Sequence, residues 1–390
     1  SGGVAFVVIM TLFFQAIFTW SAPLMDGVEA FILGLGAWLV PLVPEGIFAD
    51  FFEDAVFGGL GAFLVFVPQI FVLTLIIGAL EDSGYLARAA LICHRPLSYF
   101  GLSGRSFVPL LSGVACAIPA IYAARTMSSR QERLMTYVAI PLMPCSARLP
   151  VYALLITVLI PNTTAFGGLV GWQGLVMSGI YFFGIVSALL VASVASRLGE
   201  SESPKQAFIL ELPAYRTPNI LPIIHASVNR AAHFIQKAGS IIFTVTVVVW
   251  FLGYFPNGGE DLSASWLAVL GTWIQPVFEP LGLDWRYGVA ILASFLAREV
   301  FVGTLGTIFG IENADDDPAP LAERITESGL TAASGAALVV FFTIALQCVS
   351  TVALLARESK STGFAMRLML SYLVLAWIAA FAVHGVISLF

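Results

Sequence analysis

Leu110-Leu-Ser-Gly-Val-Ala-Cys-Ala-Ile-Pro-Ala-Ile121 and Pro141-Leu-Met-Pro-Cys-Ser-Ala-Arg-Leu-Pro150 decide how this chain is read. Each lies inside a long apolar run, and each sets a cysteine beside helix-breaking prolines. In hydrocarbon every backbone polar group needs a partner, so broken helix persists there only inside protein or against a water-filled cavity. Proline has no N–H to bond the carbonyl four residues earlier. The spacing therefore predicts that Pro119 frees the carbonyl of Ala115, beside Cys116, and that Pro150 frees the carbonyl of Ser146, beside Cys145. A thiol next to a freed carbonyl within a membrane is a place to hold a metal ion in transit.

Outward from these stretches, the 390 residues are 59% hydrophobic and 11% charged, against about 25% charged in soluble domains. That excludes an ordinary cytosolic enzyme. Apolar runs of about 18 residues or more read as membrane-crossing helices, here 4–20, 62–80, 134–159, 174–196, 238–255, 334–356 and 366–389. The run 30–43 is short and is placed at the interface, 220–235 reads as an amphipathic surface helix, and 312–331 as a polar, acidic loop. Ser1-Gly-Gly reads as the cut end of something longer, with no charged region before Val4 to suggest a cleavable signal. Cys93, Cys116, Cys145 and Cys348 form no CxxC pair, so neither a disulfide framework nor a zinc finger is indicated. Nothing calls for nucleic acid.

Charge sets the topology. Of 18 Lys and Arg, 14 fall in the loops 81–105, 125–133, 197–237 and 357–367, while 16 of 24 acids fall in 21–61, 256–286 and 311–331. Basic loops face the cytoplasm, which puts the N-terminus inside. Segment 106–124 then has basic residues at both ends and re-enters from the cytoplasm, and 287–309, with acidic loops at both ends, re-enters from outside. The order span, re-entrant segment, span thus occurs twice with opposite orientation. Setting Gly101-Leu102 against Gly282-Leu283 also matches Arg105 to Arg286, Val108 to Val289 and Leu111 to Leu292. Inverted repeats with broken helices are a common way for transporters to build a midplane site.

Leu80-Glu-Asp-Ser-Gly-Tyr-Leu-Ala-Arg88, the Cys116 and Pro119 segment, Pro144-Cys-Ser-Ala-Arg-Leu-Pro-Val-Tyr152, Glu211-Leu-Pro-Ala-Tyr-Arg216, Arg298-Glu-Val-Phe-Val-Gly-Thr-Leu-Gly306 and Gln347-Cys-Val-Ser-Thr351 occur in the order in which FeoB-type ferrous iron transporters carry such motifs. The chain resembles their membrane part from about Val4 to the C-terminus. The resemblance implies an all-α polytopic membrane protein of the bacterial inner membrane, with an inverted repeat of two gate units containing re-entrant broken helices. It implies a first transmembrane helix and extracytoplasmic segment over 1–61, gate repeat 1 over 62–160, a helix and cytoplasmic amphipathic segment over 161–237, gate repeat 2 over 238–356 and a last helix over 357–390. Fe2+ is the implied cargo, moved inward. An N-terminal G domain in cis, small Feo accessory proteins and a homo-oligomer are the implied partners besides the lipid bilayer. GTP and Mg2+ belong to that G domain alone, because no Gly-x4-Gly-Lys-Ser/Thr occurs in these residues. Two departures stand out: Ala117 where the family has Asn, removing one oxygen ligand, and Arg298 where it has Lys.

The candidate ligands are Cys116, Cys145 and Cys348, with Ser146, Ser350 and Thr351 as hydroxyl oxygens, Glu299 as an acid within a membrane segment, Glu81 at a cytoplasmic helix end and Gln69 beside Pro68. Arg148 is expected to be structural, satisfying the carbonyls freed by the prolines. A thiolate favours Fe(II) over Mg(II) and Ca(II), though Mn(II), Co(II) and Zn(II) meet the same criterion. Because the thiol must lose a proton, affinity should rise with pH. Two other classes are weighed against this reading. Gly101-Leu-Ser-Gly104, His225 with Asn229, and Trp285-Arg286 match fragments of a rhomboid protease pattern, but in the wrong order and in polar loops. A nucleoside or other small-solute carrier of the same architecture would line its midplane with aromatic and amide groups instead of thiols.

Overall fold

The computed structural model describes residues 8–9, 11–12, 15, 20–44, 46–127, 129–160, 164–165, 170–198, 215–256, 258, 264–295, 298, 300–309, 311 and 318–389. Among them the regular structure is helical apart from a two-residue antiparallel strand pair, Thr164–Ala165 against Val170–Gly171. It divides into two compact bodies, Ser1–Ile140 with Leu189–Trp250 and Pro141–Ala188 with Phe251–Phe390. The expected run 4–20 lies largely outside the described residues.

The first body opens with α1 (Ala22–Leu39), started by Pro23 in its first turn, where a missing N–H costs nothing. Residues 30–42 of the stretch expected at the interface continue a helical run, Pro23–Leu42, of 20 residues and sufficient apolarity to cross a membrane. Asp26 and Glu29 mark the end of the apolar pattern but do not interrupt the helix, because neither removes a backbone hydrogen bond. Next, α2 (Phe66–Asp82) and α3 (Tyr85–Tyr99) meet at an 87° bend. Gly84 makes that bend at φ 76°, a left-handed conformation glycine adopts without strain. The short helices α4 (Phe107–Ala115) and α5 (Ala117–Ala123) follow one another across Cys116 and are in contact. Leu73 and Ile77 of α2, Leu86 of α3 and Leu111 and Ala115 of α4 form the core between them. A serine cap begins α6 (Arg130–Ala139), with Ser129 Oγ accepting from the Glu132 N–H. The chain then passes through α7 (Leu149–Leu159), which belongs to the second body, and α8 (Trp172–Leu198), which is divided between the two, before α9 (Ile220–Phe234) of the first body lies along α2. It runs on through a π-turn, Ile235–Gly239, into α10 (Ser240–Tyr254).

In the second body α11 (Trp266–Phe278) packs on α12 (Trp285–Ser294), and α12 on α13 (Val300–Phe309). The expected loop 312–331 contains α14 (Pro318–Glu327), whose Leu321, Ala322 and Ile325 are buried and which packs against α7. Those three positions share one helical face; the charges around them hide the pattern from a hydropathy reading. α15 (Ala332–Ile344) and α16 (Val349–Ser359) form one interrupted run of span length, and α17 (Thr362–Ile387) packs along both. Five described helical runs are long and apolar enough to cross a membrane, or six if the bent α2–α3 pair counts as one.

Gly271 allows the close approach of α11 to α12. A Cβ there would collide with Val289 Cγ2 and stand 3.2 Å from the Trp285 carbonyl oxygen. Gly271→Ile is therefore expected to destabilise the fold by about 1–3 kcal/mol through overpacking, read as a lower midpoint in thermal unfolding of the detergent-solubilised protein.

Candidate metal site

Cys116 is the single extended residue between α4 and α5, at φ −155° and ψ 137°. Its N–H donates to the Ser112 carbonyl (2.9 Å), closing α4, and the residue then serves as the N-cap of α5. Cys145, at φ −86° and ψ 161°, caps the 3-10 turn Ser146–Arg148 that leads into α7. Cys348, at φ −110° and ψ 105°, caps α16. All three are half-buried and carry no disulfide. Cys93, in the middle of α3, shares none of this geometry.

The prolines act differently from the expectation. Pro150 occupies the first turn of α7, and Pro119 is the third residue of α5. In a first turn the N–H would lack an intrahelical partner anyway. Each proline therefore starts the helix after the break; it does not strip a carbonyl from a continuous helix. At each cysteine the carbonyl end of one helical segment meets the amide end of the next. The carbonyl end suits a cation and the amide end suits an anionic ligand.

Arg148 is fully buried, donating from Nη2 to the Pro141 carbonyl (2.8 Å) and from Nη1 to the Leu142 carbonyl (3.3 Å). Arg148 satisfies backbone carbonyls as expected, but its acceptors are the carbonyls of Pro141 and Leu142 before the break, not the Ser146 carbonyl assigned to Pro150. Arg298 does the same for the second break: Nη2 donates to Ala345 O (2.6 Å) and Nη1 to Phe342 O (3.3 Å). Sequence reading missed this role, although an arginine inside an apolar run was a signal that it needed buried acceptors. Two further bonds hold the same break, Val349 N–H to Phe295 O (3.0 Å) and Gln347 Nε2 to Ser294 Oγ (3.0 Å). The broken spans are tied to each other by Tyr152, whose hydroxyl donates to Thr343 Oγ1 (3.1 Å).

Ser146 is half-buried, while Ser350, Thr351 and Gln69 are buried. Glu299 lies outside the described residues. Glu81 lines a cavity of about 590 Å³ in the first body together with Thr74, Asn219, Arg216 and Arg230. Its neighbour Asp82 pairs with Arg216 and accepts from the Asn219 N–H (2.8 Å). Glu81 thus shares its surroundings with two guanidinium groups, so the cavity has no net acidic lining. Among the described residues no three of His, Cys, Asp and Glu gather as a metal cluster, so a site at these breaks would draw on single thiols, hydroxyls, amides and backbone oxygens.

Five helical runs of span length among the described residues, two of them interrupted at a cysteine N-cap where a buried arginine closes the carbonyl end, fit a polytopic membrane protein. The comparisons agree in kind. A family model described as "Gate: Nucleoside recognition" matches residues 63–158 and 235–362, and "Ferrous iron transport protein B C terminus" matches 177–230. The chain belongs to the FeoB-type ferrous iron transporter family and carries its membrane part. A Fe(2+) transporter FeoB of Leptospira interrogans is 36% identical over 409 residues, covering 100% of this chain and 58% of its own length. One from Staphylococcus aureus is 35% identical over 394 residues, covering 99% and 57%. A Porphyromonas gingivalis Fe(2+) transport protein A/Fe(2+) transporter FeoB fusion protein is 35% identical over 431 residues, covering 99% and 50%. The chain thus spans about half the length of the curated relatives it matches. No solved structure matches it.

Proposed function

We propose that this chain moves Fe(II) across the bacterial inner membrane into the cytoplasm, with Cys116, Cys145 and Cys348 as transient thiolate ligands. The observation that carries the reading is the recurrence of one local device. Three times a cysteine is the extended N-cap residue at a helix break. Ser146, Ser350 and Thr351 add oxygen ligands, and Glu299 and Gln69 belong to the same path. The guanidinium groups of Arg148 and Arg298 occupy carbonyls that would otherwise face the ion. Fewer backbone oxygens are then available than the sequence suggested, which keeps binding loose enough for release.

The two stretches matched by the gate model, 63–158 and 235–362, support two gate units. The breaks between α4 and α5 and between α12 and α13, whose helices remain in contact, support two re-entrant segments. The names of the relatives support iron as cargo. GTP control by a G domain in cis is part of the proposal. So is an accessory partner, which the Porphyromonas fusion protein carries on the same polypeptide. A homo-oligomer completes the partner set.

The deciding experiment is uptake into proteoliposomes containing the purified chain under reducing conditions. Saturable Fe(II) uptake with no uridine or adenosine uptake is the expected result. Nucleoside uptake without Fe(II) uptake would replace this reading with the solute-carrier one, which the gate model's description keeps in view. For topology, Ser103→Cys and Thr126→Cys in a cysteine-free background are both expected to be shielded from impermeant thiol reagents added outside. Outside labelling at residue 126 alone would mean that 106–124 crosses fully.

A further inference from the structure

Gln347, the residue before Cys348, is completely buried. Its Nε2 donates to Ser294 Oγ (3.0 Å), and Ser294 Oγ donates its own proton to the Ile291 carbonyl (2.6 Å). A serine hydroxyl has one proton to give. With that proton committed, Ser294 can only accept from the amide, which fixes the NH2 toward Ser294 and the oxygen away from it. That oxygen, Oε1, is covered by protein and has no hydrogen-bond partner among the described residues. Buried amide oxygens are nearly always paired, and an unpaired one keeps its full desolvation penalty. The charged donor of this break is committed elsewhere, since Arg298 bonds the carbonyls of Phe342 and Ala345. The Val349 N–H is likewise engaged, by Phe295 O.

We infer that Gln347 Oε1 is an oxygen ligand for the permeating divalent cation at the second break, and that it acts beside Cys348 to set the preference between hard and soft ions. This rests on the reading of the chain as a divalent-metal transporter. An acceptor locked in orientation, covered by protein and without a donor among the described residues is a group prepared for a cation. A neutral amide is a hard ligand and a thiolate a soft one, so the pair favours ions of intermediate softness over both extremes. Oε1 is covered in this conformation, so the ion engages it in the open form of the break.

The test compares Gln347→Met, Gln347→Leu and Ser294→Ala with the unaltered chain. Mn(II) binding is read by electron paramagnetic resonance, and uptake of Fe(II), Mn(II) and Cd(II) is read in competition in proteoliposomes. Methionine fills nearly the same volume but offers a soft sulfur in place of the oxygen. Gln347→Met is expected to weaken Mn(II) binding and Fe(II) uptake about tenfold while Cd(II) uptake is kept or raised. Gln347→Leu should weaken all three ions, and Ser294→Ala, which frees the amide to rotate, should weaken Mn(II) binding by a smaller factor. A role in packing alone would leave the order of ions unchanged in folded Gln347→Met. That result, with the unaltered chain active, would overturn the assignment of Gln347 and leave the transport reading standing. Failure of the unaltered chain to bind or move any divalent ion would overturn both. Should Gln347→Leu misfold, Gln347→Met and Ser294→Ala carry the decision.

Discussion

Arg148→Met is expected to destabilise the protein by about 3 kcal/mol or more, because it strips the donors from two carbonyls in one step. The side chain is fully buried, so water cannot replace them. A hydrogen bond to a charged group contributes about 1.5–3 kcal/mol, and Arg148 makes two, to Pro141 O and Leu142 O. Relief from burying a charge offsets part of that sum, which places the expectation near the lower end. Methionine nearly matches arginine in reach, so the loss reflects missing donors more than a cavity. Arg148→Lys should fall between the two, since an ammonium cannot present the planar fork that meets both carbonyls. Thermal unfolding in detergent, with size-exclusion monodispersity as a second readout, checks this. An Arg148→Met protein that melts with the parent would show that the carbonyl ends need no donor.

Cys145→Ala and Cys116→Ala are expected to lose Fe(II) uptake by at least about tenfold, the usual cost of removing a good ligand interaction of roughly 1.4 kcal/mol. Their stability should be nearly unchanged. Both thiols are half-buried at helix breaks, so truncation leaves little sealed cavity. Serine separates ligation from packing. If the thiols only pack, Ala should be tolerated at least as well as Ser, because it buries no hydroxyl. If they bind a borderline-soft ion, both variants fail, since a neutral hydroxyl is a poor substitute for a thiolate. Uptake assays under reducing conditions, on variants verified as folded, decide between these. Parental uptake by both alanine variants would remove Cys116 and Cys145 from the path.

What the residues announced and what they concealed divides by distance along the chain. The positions of the breaks were legible, because proline and cysteine within apolar runs are local signals. That Arg148 serves backbone carbonyls was legible too, since its acceptors lie six and seven residues away, but which carbonyls it serves was not. The mechanism of the breaks was misread: a proline in the first turn of a new helix and one inside an old helix look alike in sequence. Residues 30–42 were cut off from their helix because the carboxylates of Asp26 and Glu29 end the apolar pattern without ending the hydrogen bonding. Arg298 and Gln347 were out of reach, because their partners stand 44 to 53 positions away and only the folded chain brings them together. Glu299, the acid that the sequence singled out most sharply, lies outside the described residues.

The ties between residues 294–298 and 342–349 have a mechanical consequence. Arg298 to Phe342 and Ala345, Ser294 to Gln347, and Phe295 to Val349 make four hydrogen bonds across one short seam. Bonds so close together share any load, and one cannot stretch far while the others hold. The seam should therefore behave as a latch that is shut or released, passing its displacement to α12 and α16 together, and not as a throat that widens by degrees.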